Sequence, residues 1–220
     1  MQMRRVFVDP ESPQRDAIEE AAKWILNGGL VAIPTDTLYG LATDPWSADA
    51  VARLFAVKGR AAARALPLIA ADAAQVEEHL GRLPDAGQRL AARYWPGPLT
   101  LVIAAPRALA ADVTGGTGTV GVRVPADAVA RAICEEVGRP ITATSANLSG
   151  EPATADPEQV ERALGDRLDL LVDTGLTRGG AASTIVDVTG AVPALVRAGA
   201  ISWEDIQSWL HTAPAHPLAR

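Results

Sequence analysis

Nine short apolar runs of strand length alternate with helix-length segments along this chain, and their spacing constrains the fold more than any other feature. The runs at 6–8, 30–33, 67–70, 99–104, 119–124, 140–143, 169–172, 183–188 and 194–197 read as strands, being rich in aliphatic residues and bounded by Gly, Pro and polar turn formers. Helical patterns occupy 73–80, 85–94 and 127–137. Ser12 reads as the cap of an earlier helix, with Pro13 at its first position and Gly28-Gly29 at its end, and Ser47 as the cap of one that carries Val51, Leu54, Phe55 and Val57. Asp156-Pro157 starts a further helix, and a last one covers 202–210. Several strand pairs follow too closely for the crossover that parallel pairing demands, so antiparallel pairs must be interleaved with parallel ones. The reading is an α/β protein of mixed α+β character, built on a mixed sheet.

Neither an internal repeat nor a long linker interrupts the pattern, so 1–210 is expected to form one domain, followed by a flexible tail at 211–220 that contains Pro214 and Pro217. Apolar residues make up 48% of the 220 but aromatics only 4%, which predicts a core of small aliphatic side chains in closely approaching elements. The net charge of -6 argues against a surface devoted to nucleic acid, while a local basic groove is left open. Cys134 is the single cysteine, so no intramolecular disulfide and no cysteine-built metal site can form; following Ala132-Ile133, it reads as a small buried hydrophobe rather than a nucleophile. No apolar stretch approaches membrane-spanning length and no signal segment follows Arg4 and Arg5, so a cytoplasmic location without a membrane partner is expected.

Polar chemistry gathers where strands end. Pro34-Thr35-Asp36-Thr37-Leu38-Tyr39-Gly40-Leu41 follows a buried-strand pattern with two hydroxyls, a carboxylate and a phenol, which suits a small polar ligand and, taken alone, equally suits an ordinary turn. Lys58, Arg60 and Arg64 are three cations among Gly and Ala, a composition that fits either a polyanion site or solvated charge. Arg123 alternates with Val122 and Val124 and so faces away from them, and an arginine in an apolar strand calls for an anionic partner, here expected to be a ligand. Arg197 repeats the arrangement in its own strand, so one sheet is expected to present cations and hydroxyls to a common site. In Thr144-Ser145-Ala146-Asn147, the serine lacks a nucleophile-elbow setting and a histidine partner, so it reads as a polar turn that presents donors to phosphate or carboxylate oxygens. Gly116-Thr117-Gly118-Thr119-Val120-Gly121 matches the dinucleotide glycine pattern only formally, because a loop precedes it and a strand follows. No zinc-ligand spacing is present, and no protein metal site is expected.

Seven segments, in order, resemble the motifs of YrdC-type threonylcarbamoyl-AMP synthases: the Pro34 to Leu41 segment, Lys58-Gly59-Arg60, Tyr94-Trp95-Pro96-Gly97-Pro98-Leu99-Thr100, Val122-Arg123-Val124-Pro125, the segment from Thr144 to Gly150, Ser183-Thr184-Ile185-Val186-Asp187, and Arg197-Ala198-Gly199. The resemblance runs from about residue 15 to residue 202. It implies the short, single-domain form, with a YrdC-like three-layer fold in which a twisted mixed parallel and antiparallel sheet is flanked by helices. It further implies the reaction of L-threonine, bicarbonate and ATP to threonylcarbamoyl-AMP and pyrophosphate, with Mg2+, and transfer of the product to the tRNA threonylcarbamoyl transferase machinery. Weak binding of tRNA or double-stranded RNA is left open.

By motif position, the resemblance assigns Thr37, Arg123, Ala143 and Ser183 to threonine, with Tyr39 as a second choice. To ATP it assigns Arg60, Arg64, Thr119, Ser145, Ala153 and Arg197, with Asn147 as a second choice, and it gives Lys58 and Arg60 the catalytic charge. One departure stands out: the family usually has prolines after the Lys-Gly-Arg triplet, whereas here Ala61-Ala62-Ala63-Arg64-Ala65 follows. Two other readings remain, a paralogue of the same fold acting on another small substrate and an RNA-binding module. The acidic charge weighs against the second.

Overall fold

A computed structural model describes residues 3–59 and 65–212. In chain order the elements are β1 (Arg4–Phe7), α1 (Arg15–Leu26), β2 (Val31–Ile33), β3 (Gly40–Ala42), α2 (Ala48–Lys58), β4 (Leu68–Ile69), α3 (Ala73–Leu80), α4 (Asp85–Tyr94) and β5 (Leu99–Ala104). They continue with β6 (Thr119–Arg123), α5 (Ala128–Val137), β7 (Ile141–Thr142), β8 (Thr144–Ser145), α6 (Pro157–Leu164), β9 (Leu170–Asp173), β10 (Thr184–Asp187), β11 (Ala194–Arg197) and α7 (Trp203–Thr212).

The mixed α/β class holds, but the strands divide into two sheets where one was expected. Their orders are β1-β9-β2-β3-β8 and β11-β10-β5-β6-β4-β7. Each combines parallel pairs, such as β1 with β9 and β4 with β6, and antiparallel ones, such as β2 with β3 and β5 with β6. Residues 141–145 carry the chain from one sheet to the other: β7 pairs with β4 in the second sheet, while β8 pairs with β3 in the first. The polar turn expected at 144 therefore begins as a strand, and Ala143 stands at the seam, its N–H bonded to the Pro67 carbonyl at 2.9 Å.

Side-chain alternation gives the second sheet two unlike faces. Leu68, Leu99, Leu101, Val120, Val122 and Val186 point into the larger core. Thr100, Val102, Gly121, Arg123 and Ile185 point the other way and line a cleft. The first sheet is covered by α1 and α5, where Ala17, Ala21 and Ala22 pack in one cluster with Ala130, Ile133 and Cys134. Small residues let the elements approach closely, as the scarcity of aromatics predicts. Burial pushes the Cys134 thiol up from its ordinary value, in keeping with an inert core residue.

Helix ends follow local chemistry, with one correction. The Ser47 side chain accepts from the Ala50 N–H at the start of α2, and Gly59 ends that helix in the left-handed region at φ 60°. Ser12 does not cap α1, which starts at Arg15 with Gln14 at its N-cap. Instead, the Asp9 carboxylate accepts the N–H groups of Glu11 and Ser12 in a local turn that delays the helix. α7 continues through Thr212, two residues into the expected tail, and 213–220 lie outside the described residues. Among the described residues no helix is long and apolar enough to cross a membrane.

Candidate active site

The cleft has a volume of about 450 Å³ and lies between the β2–β3 loop and the polar face of the second sheet. Its sides come from different sheets, which corrects the expectation that one sheet presents every group. The loop is pinned from within. Thr35 Oγ1 donates to the Leu38 carbonyl at 2.7 Å, accepts the N–H groups of Thr37 and Leu38 at 3.3 Å each, and lies 3.2 Å from Thr37 Oγ1. Tyr39 is fully buried; its hydroxyl donates to the Gly175 carbonyl at 2.8 Å and accepts the Thr174 N–H at 3.2 Å. That phenol is committed to backbone, and burial raises its pKa, so it remains a neutral prop for the loop.

On the facing wall, Ser183 Oγ lies 2.8 Å from Thr100 Oγ1 and accepts from Arg197 Nη2 at 3.2 Å, while the Ser183 carbonyl accepts from the same nitrogen at 2.7 Å. Gly121 keeps this wall open, since a Cβ there would meet Thr100 Cγ2 at 3.1 Å. Arg123, at the end of β6, has a protein partner and so departs from the expectation of a ligand alone. Its Nη1 lies 2.9 Å from Asp36 Oδ1, with side-chain exposures of 10% and 12%. The approach is off the N–H direction, and neither atom completes a hydrogen bond. Burial lowers the Arg123 pKa and the nearby Arg197 charge adds to that, while Asp36 opposes both. An arginine remains charged under such competition.

Of the residues singled out in the sequence, Thr37, Tyr39, Arg123, Ala143, Ser145, Ser183 and Arg197 line the cleft together. Lys58, Thr119, Asn147 and Ala153 are not part of its wall. Lys58 is buried at the end of α2, and its Nζ donates to the carbonyls of Ser145 and Asn147, the latter at 2.9 Å, and to Asn147 Oδ1 at 3.4 Å. Asn147 Nδ2 donates to the carbonyls of Leu148 and Glu151 at 2.9 and 2.6 Å, so both residues shape the loop that presents Ser145. Thr119 begins β6 at the end opposite Arg123, and its hydroxyl lies 3.0 Å from that of Thr117. Ala153 precedes Thr154, whose carbonyl accepts the Tyr39 N–H at 3.0 Å. Arg60 and Arg64 lie outside the described residues. Thr100 and Gly121 belong to the arrangement although sequence reasoning gave them no role, and Thr35 and Asp36, noted there only as part of the polar segment, belong to it as well. Reading the period-2 alternation of β5 and β6 outward from Arg123 would have found Thr100 and Gly121.

A half-open cleft with hydroxyls, two arginines and an apolar floor on an α/β domain has the make-up of a small-molecule site. The chain belongs to the Sua5/YciO/YrdC family, whose family model, described as "Telomere recombination", matches residues 23–199. It is 38% identical over 208 residues to the threonylcarbamoyl-AMP synthase of Pyrococcus abyssi, covering 92% of this chain and 61% of that protein. To the threonylcarbamoyl-AMP synthase of Bacillus subtilis it is 38% identical over 212 residues, covering 94% of this chain and 61% of that one. The chain thus spans about three-fifths of the length of these two relatives. The crystal structure of P. abyssi Sua5 complexed with L-threonine superposes with a TM-score of 0.88 at 38% identity, over 93% of this chain and 60% of that one.

Proposed function

We propose that this chain is an L-threonylcarbamoyladenylate synthase, a nucleotidyltransferase that acts in the cytoplasm. The threonine amine forms its new C–N bond with carbon dioxide, releasing a proton, or with bicarbonate, releasing water, to give a carbamate. A carbamate oxygen then attacks the α-phosphorus of ATP; the new O–P bond forms as the bond to the β-phosphate oxygen breaks, and pyrophosphate leaves. The step needs positioning and charge neutralisation, not a covalent nucleophile.

The observation that carries this reading is the shared wall. Arg197 bonds Ser183, Ser183 contacts Thr100, and Arg123 and Thr37 line the same cleft, so groups suited to a carboxylate and groups suited to a phosphate adjoin. Thr37, Arg123, Ala143 and Ser183 are assigned to threonine and Ser145 and Arg197 to ATP, with Thr119, Ala153, Arg60 and Arg64 extending the nucleotide side. Tyr39 and Asn147 support their loops, and Lys58 supplies charge behind Ser145. Mg2+ enters with the triphosphate as part of the substrate. The unstable product passes to the tRNA threonylcarbamoyl transferase machinery.

The test is incubation of purified protein with ATP, labelled bicarbonate and L-threonine, followed by chromatography of the nucleotides. Label should appear in a new adenylate only when all three are present. Equal pyrophosphate release without threonine refutes the reading.

A further inference from the structure

We propose that Asp36 is a positioning residue for this site: it holds the Arg123 guanidinium at the end of β6, across the seam between the two sheets, aimed for an incoming carboxylate. The inference rests on the reading above, in which Arg123 receives the substrate carboxylate. Asp36 belongs to the β2–β3 loop of the first sheet and Arg123 to the second, so their 2.9 Å contact ties the two sides of the cleft together. Thr35 and Thr37, on either side of Asp36, line the cleft; Asp36 is not part of its wall.

The geometry of the contact sets what it can do. A guanidinium has five N–H donors in a planar fork, and an aligned bidentate carboxylate would occupy the fork that a ligand needs. The shortest approach of Asp36 is instead to Nη1, off its N–H direction, and Arg123 Nη1 and Asp36 Oδ1 are both buried without a completed hydrogen bond. A buried cation without a counter-charge is strongly disfavoured, and Arg197 adds like charge nearby. Asp36 therefore offsets the charge that β6 buries and fixes its direction, while leaving donor capacity for the ligand. Asp127, the N-cap of α5, is the other acidic group that acts on this pair.

Two measurements test the link. In ligand-free protein carrying 15N-labelled arginine, the Arg123 guanidinium signal, assigned with Arg123→Lys, should show slow N–H exchange that is lost in Asp36→Ala and partly kept in Asp36→Asn. In calorimetric titration, Asp36→Ala should weaken L-threonine binding by about tenfold and change ATP binding by less than about twofold. The Asp36→Ala/Arg123→Ala double variant should bind threonine no more weakly than Arg123→Ala alone. Additive losses, or an Arg123 signal unchanged by Asp36→Ala, overturn the proposal. If Arg123→Ala binds threonine like the parent while Asp36→Ala still loses the ordered guanidinium, the carboxylate assignment fails and the positioning link stands. Thermal unfolding of each variant separates these outcomes from misfolding, and Asp36→Asn, nearly the same size, carries the test if Asp36→Ala does not fold.

Discussion

Arg197 holds Ser183 by two contacts, donating to its carbonyl oxygen at 2.7 Å and to its hydroxyl at 3.2 Å, and the same hydroxyl lies 2.8 Å from that of Thr100. One small side chain thus joins the edge strand β11 to the interior strand β5. Arg197 is exposed whereas Thr100 is buried, so the chain of contacts runs from solvent into the wall of the cleft. In the proposed reaction the same serine stands between the nucleotide and amino-acid ends of the site.

Ser183→Ala should accordingly affect both. The buried Thr100 hydroxyl loses its side-chain partner, which costs about 1 kcal/mol of stability and is read as a lower midpoint in thermal unfolding. Threonine binding should weaken by about three- to tenfold, and ATP binding less, because Arg197 keeps the Ser183 carbonyl. Parent-like threonine affinity in a folded variant would remove Ser183 from the site.

Lys58 is a buried cation whose ammonium reaches the loop from Ser145 to Asn147. Lys58→Met keeps most of the stem and removes the charge, leaving carbonyls without their donor. Hydrogen bonds to a charged group contribute about 1.5 to 3 kcal/mol each, so the melting temperature should fall, and adenylate formation should fall by at least about tenfold even at temperatures where the variant is folded. Full activity with lowered stability would make Lys58 a structural residue alone.

The individual elements were legible because their signals are local. The helices over 73–80 and 85–94 are found where the sequence places them, and Ser47 and Asp127 each cap a helix by accepting an N–H from three residues on. β3 was missed because Gly40-Leu41-Ala42 has no β-branched residue, and it is a strand by virtue of its neighbours β2 and β8. The crossing of 141–145 between sheets has no local signature either, since Ile141-Thr142 reads as a strand and Thr144-Ser145 as the polar turn after it until their partners are known. At the site the same division holds. The alternation of Arg123 against Val122 was readable, but its pairing with Asp36 depends on how two sheets meet. Lys58 is expected beside phosphates, and the bonds of its ammonium to a loop nearly ninety residues away along the chain have no local signature.

Gly121 offers a direct test of where the amino acid lies. Thr100 Cγ2 would stand only 3.1 Å from an added Cβ, closer than ordinary contact, so a side chain here must push Thr100 aside and intrude on the cleft. The branched side chain in Gly121→Val would fill that part of the cleft while leaving the aliphatic face of β6 untouched. Threonine binding should fall by at least about a hundredfold, with a midpoint lower by about 2 to 12 °C, as for an overpacking cost of about 1 to 3 kcal/mol. Titration and thermal unfolding on the same preparation check both halves, and unchanged threonine affinity places the amino acid elsewhere.

Asp127 gives a pH-dependent prediction of definite sign. It caps α5 by accepting the Ala130 N–H at 2.8 Å, yet its pKa is raised, first by burial and then by the nearby Asp36 charge, with the N–H groups of Ala130 and Val129 opposing. A carboxyl whose folded pKa lies above its unfolded value binds more protons when folded, so it lowers stability as pH rises from the ordinary aspartate value, about 3.9, through the raised folded one. Asparagine caps a helix about as well as aspartate and carries no charge to desolvate. Asp127→Asn should therefore melt higher than the parent at pH 7, and the difference should shrink as pH falls toward 4, where the parent carboxyl takes up its proton. Thermal unfolding of both proteins across that range is the measurement. A variant less stable than the parent at pH 7 would show that the charge on this cap, acting on the α5 N-terminus and on Arg123, outweighs the cost of burying it.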